Sequence, residues 1–231
     1  MKPVLVRKRH DAVIDFDDKE YDYFYNPWHY HPELELTLIV RGDGQRFVGD
    51  NVENFAEGDL VLVGSNLPHF WRSDNSYYQK NSQRKVQAIV VKFLPDFVGT
   101  EFSEREEMKL IKTLIHKTAA KGIKLRGDLK ARVSVLMREM PKMDETQRII
   151  QLLSILYLIS ISKEYISLVS FGYYAEVKDA NEKDHFRINS VLDYLAKNYK
   201  KPITLDQIAA IVHMNRNAFC RFLNEKPGEH S

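Results

Sequence analysis

The pattern of apolar and polar positions divides the chain into a first part of short strands and a second part of helices. From residue 2 to about residue 97, β-branched and aromatic residues are dense and alternate with clusters of glycine, aspartate and asparagine that favour turns. Many short strands at close spacing are typical of a β-sandwich or β-barrel. Beyond Pro95, apolar residues recur at helical spacing. The pattern therefore predicts a multidomain α+β protein.

Three stretches of the second part have helical periodicity, and they cover residues 101–120, 128–140 and 144–168. The first is expected to begin with a capping box formed by Ser103 and Glu106. Residues 98–171 are therefore predicted to form a helical region. The polar residues 172–184 are interpreted as a linker between domains, and residues 185–231 as a second, smaller domain.

Length and composition exclude several classes of protein. With 231 residues, 44% of them hydrophobic, the chain is long enough to bury a core, and two domains are expected. Its beginning lacks the apolar run of a secretory signal. The most apolar stretch, residues 149–169, contains Lys163 and Glu164 and falls short of a membrane span. A single cysteine, Cys220, excludes internal disulfides. We therefore expect a cytoplasmic protein that has no membrane partner.

The residues around the first predicted strands include candidate metal ligands. Alternate residues of an extended chain share one face, so His29, His31 and Glu35 can converge on one side. Two imidazoles and a carboxylate form a facial ligand set that suits Fe, Mn, Ni or Zn. A strand and a turn farther along lead to His69, a fourth candidate ligand. These residues predict either a bound divalent transition metal or histidines that form hydrogen bonds within the mouth of a barrel.

The stretch that holds His29, His31 and Glu35, together with the strand and turn that lead to His69, resembles the two conserved motifs of the cupin family. His29, His31 and Glu35 keep the H-x-H-x3-E spacing of the first motif. His69 stands at the histidine of the second motif. The resemblance implies that residues 1–97 form a cupin-like β-barrel that binds a small-molecule effector.

The turn before His69 departs from the second cupin motif. Gly64 and Asn66 stand where that motif prefers proline and glycine. Asparagine tolerates the left-handed backbone conformation that a glycine would supply, so the turn is still expected to form. Tyr23 likewise stands where the first motif usually begins with glycine.

Aromatic residues near the motifs are candidates for an effector pocket. Trp28, Tyr30 and Trp71 have ring faces that can stack on a sugar, which is often the effector of the regulators that this barrel resembles. An aromatic residue of a barrel is otherwise a core residue. The expected effector is therefore a sugar or a related small molecule.

Residues 202–224 have the pattern of two short helices joined by a tight turn. Thr204 can cap the first helix and Asn215 the second. Apolar residues line one face of each helix, at Leu205, Ile208, Ala209 and Val212 in the first and at Ala218, Phe219, Phe222 and Leu223 in the second. The small Ala209 stands where two helices must cross closely, as a helix-turn-helix requires.

This passage resembles the first helix-turn-helix of AraC-family regulators, in which an F-x-R-x-F/L pattern marks the recognition helix. The resemblance implies that Asn217, Cys220 and Arg221 face the bases and that Arg216 lies near the phosphates of DNA. Arginine can bind guanine, and asparagine adenine, through two hydrogen bonds. The net charge of +2 does not by itself indicate a nucleic-acid partner, and a solvated helix face is the alternative.

The helical region is also expected to form a homodimer. Its third predicted helix carries more apolar surface than one helix needs for its own domain, at Ile149, Leu152, Leu153, Leu156, Ile159 and Ile161. The alternative is that this surface packs against the barrel.

Together the motifs identify the chain as a member of the AraC/XylS family of transcription regulators, with a cupin domain and the first of the family's two helix-turn-helix motifs. Because the chain ends at Ser231, we expect that the DNA-binding domain is cut short. The expected function is ligand-responsive regulation, not catalysis. Two alternatives stay open. One is a metal-dependent cupin enzyme, such as a dioxygenase or isomerase; the other is a truncated regulator that binds effector and dimerises without productive DNA binding.

Overall fold

The computed structural model describes residues 3–5, 12–24, 26–119, 121–173, 191, 194–195, 198, 203–212 and 214–224. In chain order, its strands are β1 (Val4–Leu5), β2 (Ile14–Asp17), β3 (Glu20–Tyr21), β4 (His29–Tyr30), β5 (Leu34–Arg41), β6 (Gly44–Val48), β7 (Asn51–Phe55), β8 (Leu60–Val63), β9 (His69–Ser73), β10 (Val86–Phe93), β11 (Ile123–Leu125) and β12 (Tyr165–Ser167).

These strands form two sheets. The first has the order β1-β4-β9-β6-β7, and the second has the order β12-β11-β8-β5-β10-β2, in which β3 also pairs with β10. Apart from the parallel pair of β1 and β4, the strand pairs of the described residues are antiparallel. The N-terminal part is therefore built from two mostly antiparallel sheets, as the alternation of apolar and turn residues predicts.

Strand β5 is buried on both faces. Its outer face packs against the helices through Leu34, Leu36 and Leu38. On the inner face, Ile39 belongs to the apolar cluster between the two sheets. Glu35 and Thr37 share that face, because alternate residues of a strand point to the same side. The sequence of β5 therefore brings polar side chains into the interior of the β-structure.

Four helices follow the first ten strands in the chain: α1 (Thr100–Ser103), α2 (Lys109–Ala119), α3 (Gly127–Glu139) and α4 (Glu145–Ser160). The last three cover the outer face of the second sheet, where Leu36 and Val91 share one core cluster with Leu114 of α2 and Leu152 of α4. Burial of a leucine or valine side chain contributes about 1.5–3 kcal/mol. The apolar layer therefore holds the helices on the sheet.

The first predicted helix is interrupted. α1 ends at Ser103, and a 3-10 helix, Glu106–Met108, precedes α2. Ser103 does not form the predicted capping box, because its hydroxyl donates a hydrogen bond at 2.9 Å to the carbonyl oxygen of Gly99. Arg105 has an extended backbone, with φ −68° and ψ 148°, and this conformation ends the helical path. The prediction of one continuous helix is therefore wrong.

The third predicted helix, residues 144–168, is shorter than expected. Asp144 caps α4 in a capping box with Gln147, but the helix ends at Ser160. β12 follows and pairs antiparallel with β11, which in turn pairs with β8. Two strands from the segment predicted as purely helical therefore extend the second sheet.

Glu164 explains why the chain returns to the sheet at this point. Its carboxylate accepts a hydrogen bond at 2.8 Å from the backbone N–H of Leu129, in the first turn of α3. Its carbonyl oxygen accepts another from the N–H of Arg126 at 2.8 Å. Arg126 precedes α3 and supplies no side-chain cap of its own. Glu164 therefore satisfies donors at the start of α3 that would otherwise lack partners.

The apolar residues of α4 do not form one exposed surface. Leu152, Leu156 and Ile159 are fully buried in the core cluster of their own chain, where they pack toward the second sheet as the alternative interpretation expected, so they are not available to a second chain. Ile149 and Leu153 are partly buried against the same cluster. The exposed apolar side chains on and directly after α4 are Ile150, Tyr157 and Ile161.

Two further helices, α5 (Leu205–Ile211) and α6 (Arg216–Asn224), pack around Phe219 in a separate apolar cluster. The hydroxyl of Thr204 accepts a hydrogen bond from the N–H of Gln207 at 3.3 Å and caps α5. The side-chain oxygen of Asn215 accepts one from the N–H of Ala218 at 2.8 Å and caps α6. Both helices begin with the residues that the sequence indicates as caps.

Some predictions from the sequence concern residues that the structure does not describe. Residues 174–184 of the predicted linker and, in the predicted second domain, residues 185–190 and 225–231 lie outside the described residues. Within the described part of the chain, no helix is long and apolar enough to span a membrane.

Candidate metal centre and ligand cavity

The structure brings together the four candidate metal ligands. His29 lies on β4, Glu35 on β5 and His69 on β9, and His31 lies between the first two. Each offers one ligand atom, and these atoms all lie within 4.8 Å of one another. All four side chains are buried. Residues that are separated by up to 40 positions in the chain therefore meet at one point between the two sheets.

Backbone carbonyls fix the orientation of the three imidazole rings. The Nδ1 atom of His29 lies 2.8 Å from the carbonyl oxygen of Pro27, and that of His69 lies 2.7 Å from the carbonyl oxygen of Leu67. The Nδ1 atom of His31 lies 3.2 Å from the carbonyl oxygen of Glu33. A carbonyl oxygen only accepts hydrogen bonds, so each Nδ1 is placed as the donor of such a bond. The three Nε2 atoms are left as the candidate ligand atoms.

Glu35 is the acidic member of the cluster and has several polar neighbours. One carboxylate oxygen, Oε1, accepts a hydrogen bond from the hydroxyl of Thr37 at 2.9 Å. The other, Oε2, lies 3.2 Å from Nε2 of His31, 3.5 Å from Nε2 of His69 and 3.1 Å from Nζ of Lys92. Burial alone would raise the pKa of Glu35, but the Lys92 ammonium and the neighbouring histidines hold that pKa well below its usual value. The carboxylate is therefore ionised.

His29 provides a neutral nitrogen ligand. Burial, followed by repulsion from His69, lowers the pKa of His29 to about 3, so this imidazole is neutral at physiological pH. Metal ions bind neutral imidazoles and ionised carboxylates. The protonation states of His29 and Glu35 are therefore those that a metal needs.

A buried nitrogen atom without a hydrogen-bond partner indicates that a metal fits these residues. The Nε2 atom of His69 is buried and has no hydrogen-bond partner. A buried acceptor without a partner costs about 1–3 kcal/mol. A cation held by the four side chains would accept the lone pair of this atom and balance the charge of Glu35. The three imidazole nitrogens and one carboxylate oxygen fit Zn, Ni, Fe or Mn.

A cavity of about 320 Å³ lies beside the cluster, and His29 and Glu35 form part of its wall. Trp71 also lines it, whereas Trp28 and Tyr30 are not among its lining residues. Trp28 instead packs edge-on against Phe70, with ring centroids 5.6 Å apart. The indole N–H of Trp71 is buried and has no hydrogen-bond partner among the described residues.

Several residues of the cavity wall were missed by the sequence analysis. Lys92 of β10 is paired in register with Asp15 of β2 on one side and with Glu35 of β5 on the other. All three side chains line the cavity, together with Thr37 and Asp17. The alternation of residues along β5 was a signal that could have identified Thr37. Lys92 and the two aspartates become visible only when the strand pairing is known.

Lys92 carries a positive charge into this wall. Burial would lower the pKa of Lys92, but the adjacent Glu35 carboxylate and the more distant Asp15 outweigh that effect and raise the pKa above its usual value. The lysine side chain is 18% exposed, compared with 5% for Glu35. The ammonium is therefore located between the buried cluster and the open part of the cavity.

The residues that the sequence assigns to DNA recognition lie on α6. Arg216, Asn217 and Arg221 are exposed, and Cys220 is half-buried. Arg216 also lies 3.9 Å from the carboxylate of Asp206 on α5. The arrangement presents two guanidinium groups and one amide to solvent on this helix.

Comparison with known proteins gives a family match over most of the described domain. The family model of the AraC-like ligand binding domain matches residues 13–159. The uncharacterized HTH-type transcriptional regulator YdeC of Bacillus subtilis (strain 168) is 23% identical over 211 residues, which cover 88% of this chain and 68% of that protein.

Two solved structures are similar to this chain at low sequence identity. ToxT from Vibrio cholerae strain SCE256, solved with an unsaturated fatty acid bound, is 11% identical, with a TM-score of 0.43 and coverage of 97% of this chain and 96% of that chain. A cupin 2 conserved barrel domain protein from Rhodopseudomonas palustris is 21% identical, with a TM-score of 0.30. That match covers 38% of this chain and 57% of the other.

Proposed function

The chain belongs to the family of AraC-like ligand binding domains, and on this basis we propose that it is a ligand-responsive, DNA-binding regulator of transcription. One observation carries the proposal: a buried set of metal-ligand side chains adjoins a cavity of about 320 Å³ within the residues that match the family. A cavity of this size with a few convergent polar groups suits a small molecule. The cupin-like domain would therefore sense an effector.

The lining residues favour an effector rich in hydroxyl groups, such as a sugar. Asp15, Asp17 and Thr37 offer oxygen atoms to hydroxyl donors, and the indole ring of Trp71 offers a stacking face. The wall also has apolar side chains, among them Phe24, Ile39, Ala88 and Val90, which would pack against the apolar faces of such an effector.

A divalent metal at His29, His31, Glu35 and His69 is part of the proposal. The three Nε2 atoms and Glu35 would hold the ion, and Zn, Ni, Fe or Mn are the candidates. When bound, the ion supplies a Lewis-acidic position that can ligate an effector hydroxyl. The protein's own residues orient the effector around that position, with Thr37 and Trp71 as further contacts.

We assign DNA reading to α5 and α6 as a helix-turn-helix with α6 as the recognition helix. The caps at Thr204 and Asn215 and the buried Phe219 support this assignment, since they fix the two helices around one small core. Asn217 and Arg221 would contact base edges, and Arg216 would contact phosphates. Cys220 is less exposed and would have a shorter reach.

A homodimer would place two such motifs on neighbouring half-sites of DNA. The exposed side chains of Ile150, Tyr157 and Ile161 lie on and directly after α4 and offer an apolar stripe for a second copy of the chain. A single helix-turn-helix makes few phosphate contacts, so dimerisation should increase DNA affinity. The alternative is a regulator that dimerises and binds effector without productive DNA binding, and it differs from this proposal only in that last step.

A metal-dependent cupin enzyme, such as a dioxygenase or isomerase, is the second candidate. The observation in its favour is that His29 and Glu35 line the cavity, so a bound metal would meet a substrate. An enzyme of this type has no use for the exposed guanidinium groups of α6. We therefore prefer the regulator.

The deciding experiment combines a ligand screen with DNA binding. The full chain, free of metal or loaded with Zn²⁺, is screened against sugars and polyols by thermal shift, and a ligand present at ten times its Kd should add about 1.4 kcal/mol of stability. DNA sites are selected from a random library and titrated with and without the ligand. A ligand that changes DNA affinity supports the regulator. A ligand that is converted to product, in a protein that selects no DNA, supports the enzyme.

A further inference from the structure

We propose that Lys92 and the metal ion are alternative cations for the Glu35 carboxylate, so that Lys92 sets the metal affinity of the cluster and links metal occupancy to the ligand cavity. The inference rests on the metal site of the proposed function, and it assigns to Lys92 the role of competing with the metal for Glu35.

The geometry at one oxygen atom carries the argument. Oε2 of Glu35 faces Nε2 of His31 at 3.2 Å and Nε2 of His69 at 3.5 Å, so it is the oxygen that a shared metal would ligate. The ammonium of Lys92 lies 3.1 Å from the same oxygen. A metal ion takes carboxylate and imidazole ligands at about 2.0–2.2 Å. An ammonium on this oxygen would then stand next to a divalent ion, and the repulsion would displace it.

The strand register provides the displaced ammonium with a second partner. On β10, Lys92 is opposite Glu35 of β5 on one side and Asp15 of β2 on the other. All three line the cavity. The flexible lysine stem allows the ammonium to move from one carboxylate toward the other without a change in the backbone. Metal binding at Glu35 therefore moves a positive charge along the cavity wall toward Asp15.

The displacement of the Lys92 ammonium changes the charge of the cavity wall that an effector contacts. Without metal, the charge of Lys92 is balanced mainly by Glu35 at 3.1 Å, and Asp15 acts on it from farther away. With metal, the ammonium lies nearer to Asp15 and balances more of the charge of that carboxylate. Metal occupancy and effector affinity are thereby coupled through one side chain.

The main test is Zn²⁺ affinity. Full-length protein is stripped with a chelator and titrated with Zn²⁺ in competition with a chromophoric chelator. Lys92→Met keeps the length of the side chain and removes its charge. It should bind Zn²⁺ at least about tenfold more tightly, because the ion no longer has to displace an ammonium from Oε2 of Glu35; an ammonium left there, about 4 Å from a divalent ion, would oppose binding by more than that factor even in water. Lys92→Gln serves as a second neutral variant, and Lys92→Arg should keep the weaker affinity.

Lys124→Met is the matched control. Lys124 is 24% exposed and lies near two carboxylates, 2.7 Å from Glu53 and 3.5 Å from Asp59, but it is not among the residues of the cluster or of the cavity wall. Its removal should leave Zn²⁺ affinity within about twofold of the original. His31→Ala should abolish binding in every background, which identifies the site that is titrated.

Thermal stability gives a second readout. Metal-free Lys92→Met should melt at a lower temperature than the original protein, because Glu35 loses its ammonium partner, and Zn²⁺ should raise its Tm by a larger increment. Equal Zn²⁺ affinities for the original protein and both neutral Lys92 variants, with loss in His31→Ala, would overturn the role of Lys92 and leave the metal site intact. No Zn²⁺ binding in any variant would overturn both, whereas DNA binding tests the regulator separately.

Discussion

His29 and His69 lie directly opposite one another in the antiparallel pair of β4 and β9, with their ring centroids 4.4 Å apart. Two imidazoles at this distance, each fixed by a backbone carbonyl, hold their Nε2 atoms in place before any ligand arrives. Such preorganisation lowers the cost of binding, because the ligand atoms lose little freedom when the ion enters.

Removal of His31 should remove the metal. Protein purified without a nickel column should contain about one transition-metal ion per chain, and His31→Ala should contain none, because the ring supplies one of four ligand atoms. Elemental analysis measures the content. His116→Ala is the control, since this exposed histidine of α2 lies outside the cluster. Equal metal content in His31→Ala would place the ion elsewhere.

Acid should destabilise the metal-free protein through His29. Its pKa is lowered to about 3 in the folded state, from 6.5. Between these values the unfolded chain binds a proton that the folded protein does not, so the stability should decrease by up to about 1.4 kcal/mol per pH unit as the pH falls below 6.5. Urea unfolding at pH 6.5, 5.5 and 5.0 in the presence of EDTA measures the slope.

The range above pH 5 isolates this histidine from Glu35. The pKa of that carboxyl is also lowered, but from 4.5, so its contribution to stability is lost only at more acidic pH. His29→Gln should have a smaller slope than the original protein. An unchanged slope would mean that other groups bind the protons.

The buried guanidinium of Arg46 should be essential for stability. It has no exposed surface, donates a hydrogen bond to Glu53 at 2.9 Å and pairs with Asp59, thereby joining β6 to β7 and to the start of β8. Arg46→Met leaves the nearly buried Asp59 carboxylate without this partner and should cost about 3–5 kcal/mol in urea unfolding.

Arg41→Met provides the comparison for Arg46. Arg41 also pairs with a carboxylate, that of Glu20 at 2.7 Å, but both side chains are largely exposed. An exposed ion pair contributes about 1 kcal/mol or less. Similar losses of stability for the two variants would contradict the importance of burial.

The proposed recognition helix should lose specificity when Arg221 is removed. Arg221→Ala should weaken a DNA site selected from a random library by about 1–3 kcal/mol and should barely change non-specific binding. Fluorescence anisotropy at one stated salt concentration measures both. Arg132→Ala, which removes an exposed arginine of α3, should leave both unchanged. If the two variants behave alike, base reading by Arg221 is rejected.

The exposed stripe of α4 should hold the homodimer. Tyr157 is 50% exposed, and Tyr157→Asp would place a charge within an apolar interface, so a dimer should become a monomer at tens of micromolar. Light scattering measures the mass. Val52→Asp is the control, because Val52 is 55% exposed on β7. A monomeric original protein would refute the dimer.

The candidate ligands could be identified from the sequence because their spacing is mostly local. His29, His31 and Glu35 lie within seven residues and keep the spacing of a known motif. The chain is not one extended strand there, because β4 and β5 belong to different sheets and residues 31–33 between them are not in a strand. Asn66, expected to adopt the left-handed conformation in the turn before His69, has a φ of 57°. In both cases the signal in the sequence is local, although the backbone N–H of Asn66 also donates a hydrogen bond to the distant carbonyl oxygen of His31 at 2.8 Å.

Lys92 could not be identified in the same way. It reaches Glu35 because β10 pairs with β5 in one particular register, although the two residues are 57 positions apart. Such non-local pairing leaves no local periodicity in the sequence. The end of α4 was missed for a related reason, since Glu164 acts on the distant start of α3.

Strand β12 has a practical consequence for anyone who isolates the ligand-binding part of this protein. The family match ends at residue 159, but β12 covers the edge of β11, and Leu168, Val169 and Tyr173 belong to the apolar cluster that contains Trp71. A fragment cut at the family boundary would expose the hydrogen-bonding edge of β11 and part of that cluster, and exposed edges promote aggregation. A soluble fragment should therefore extend through Tyr173.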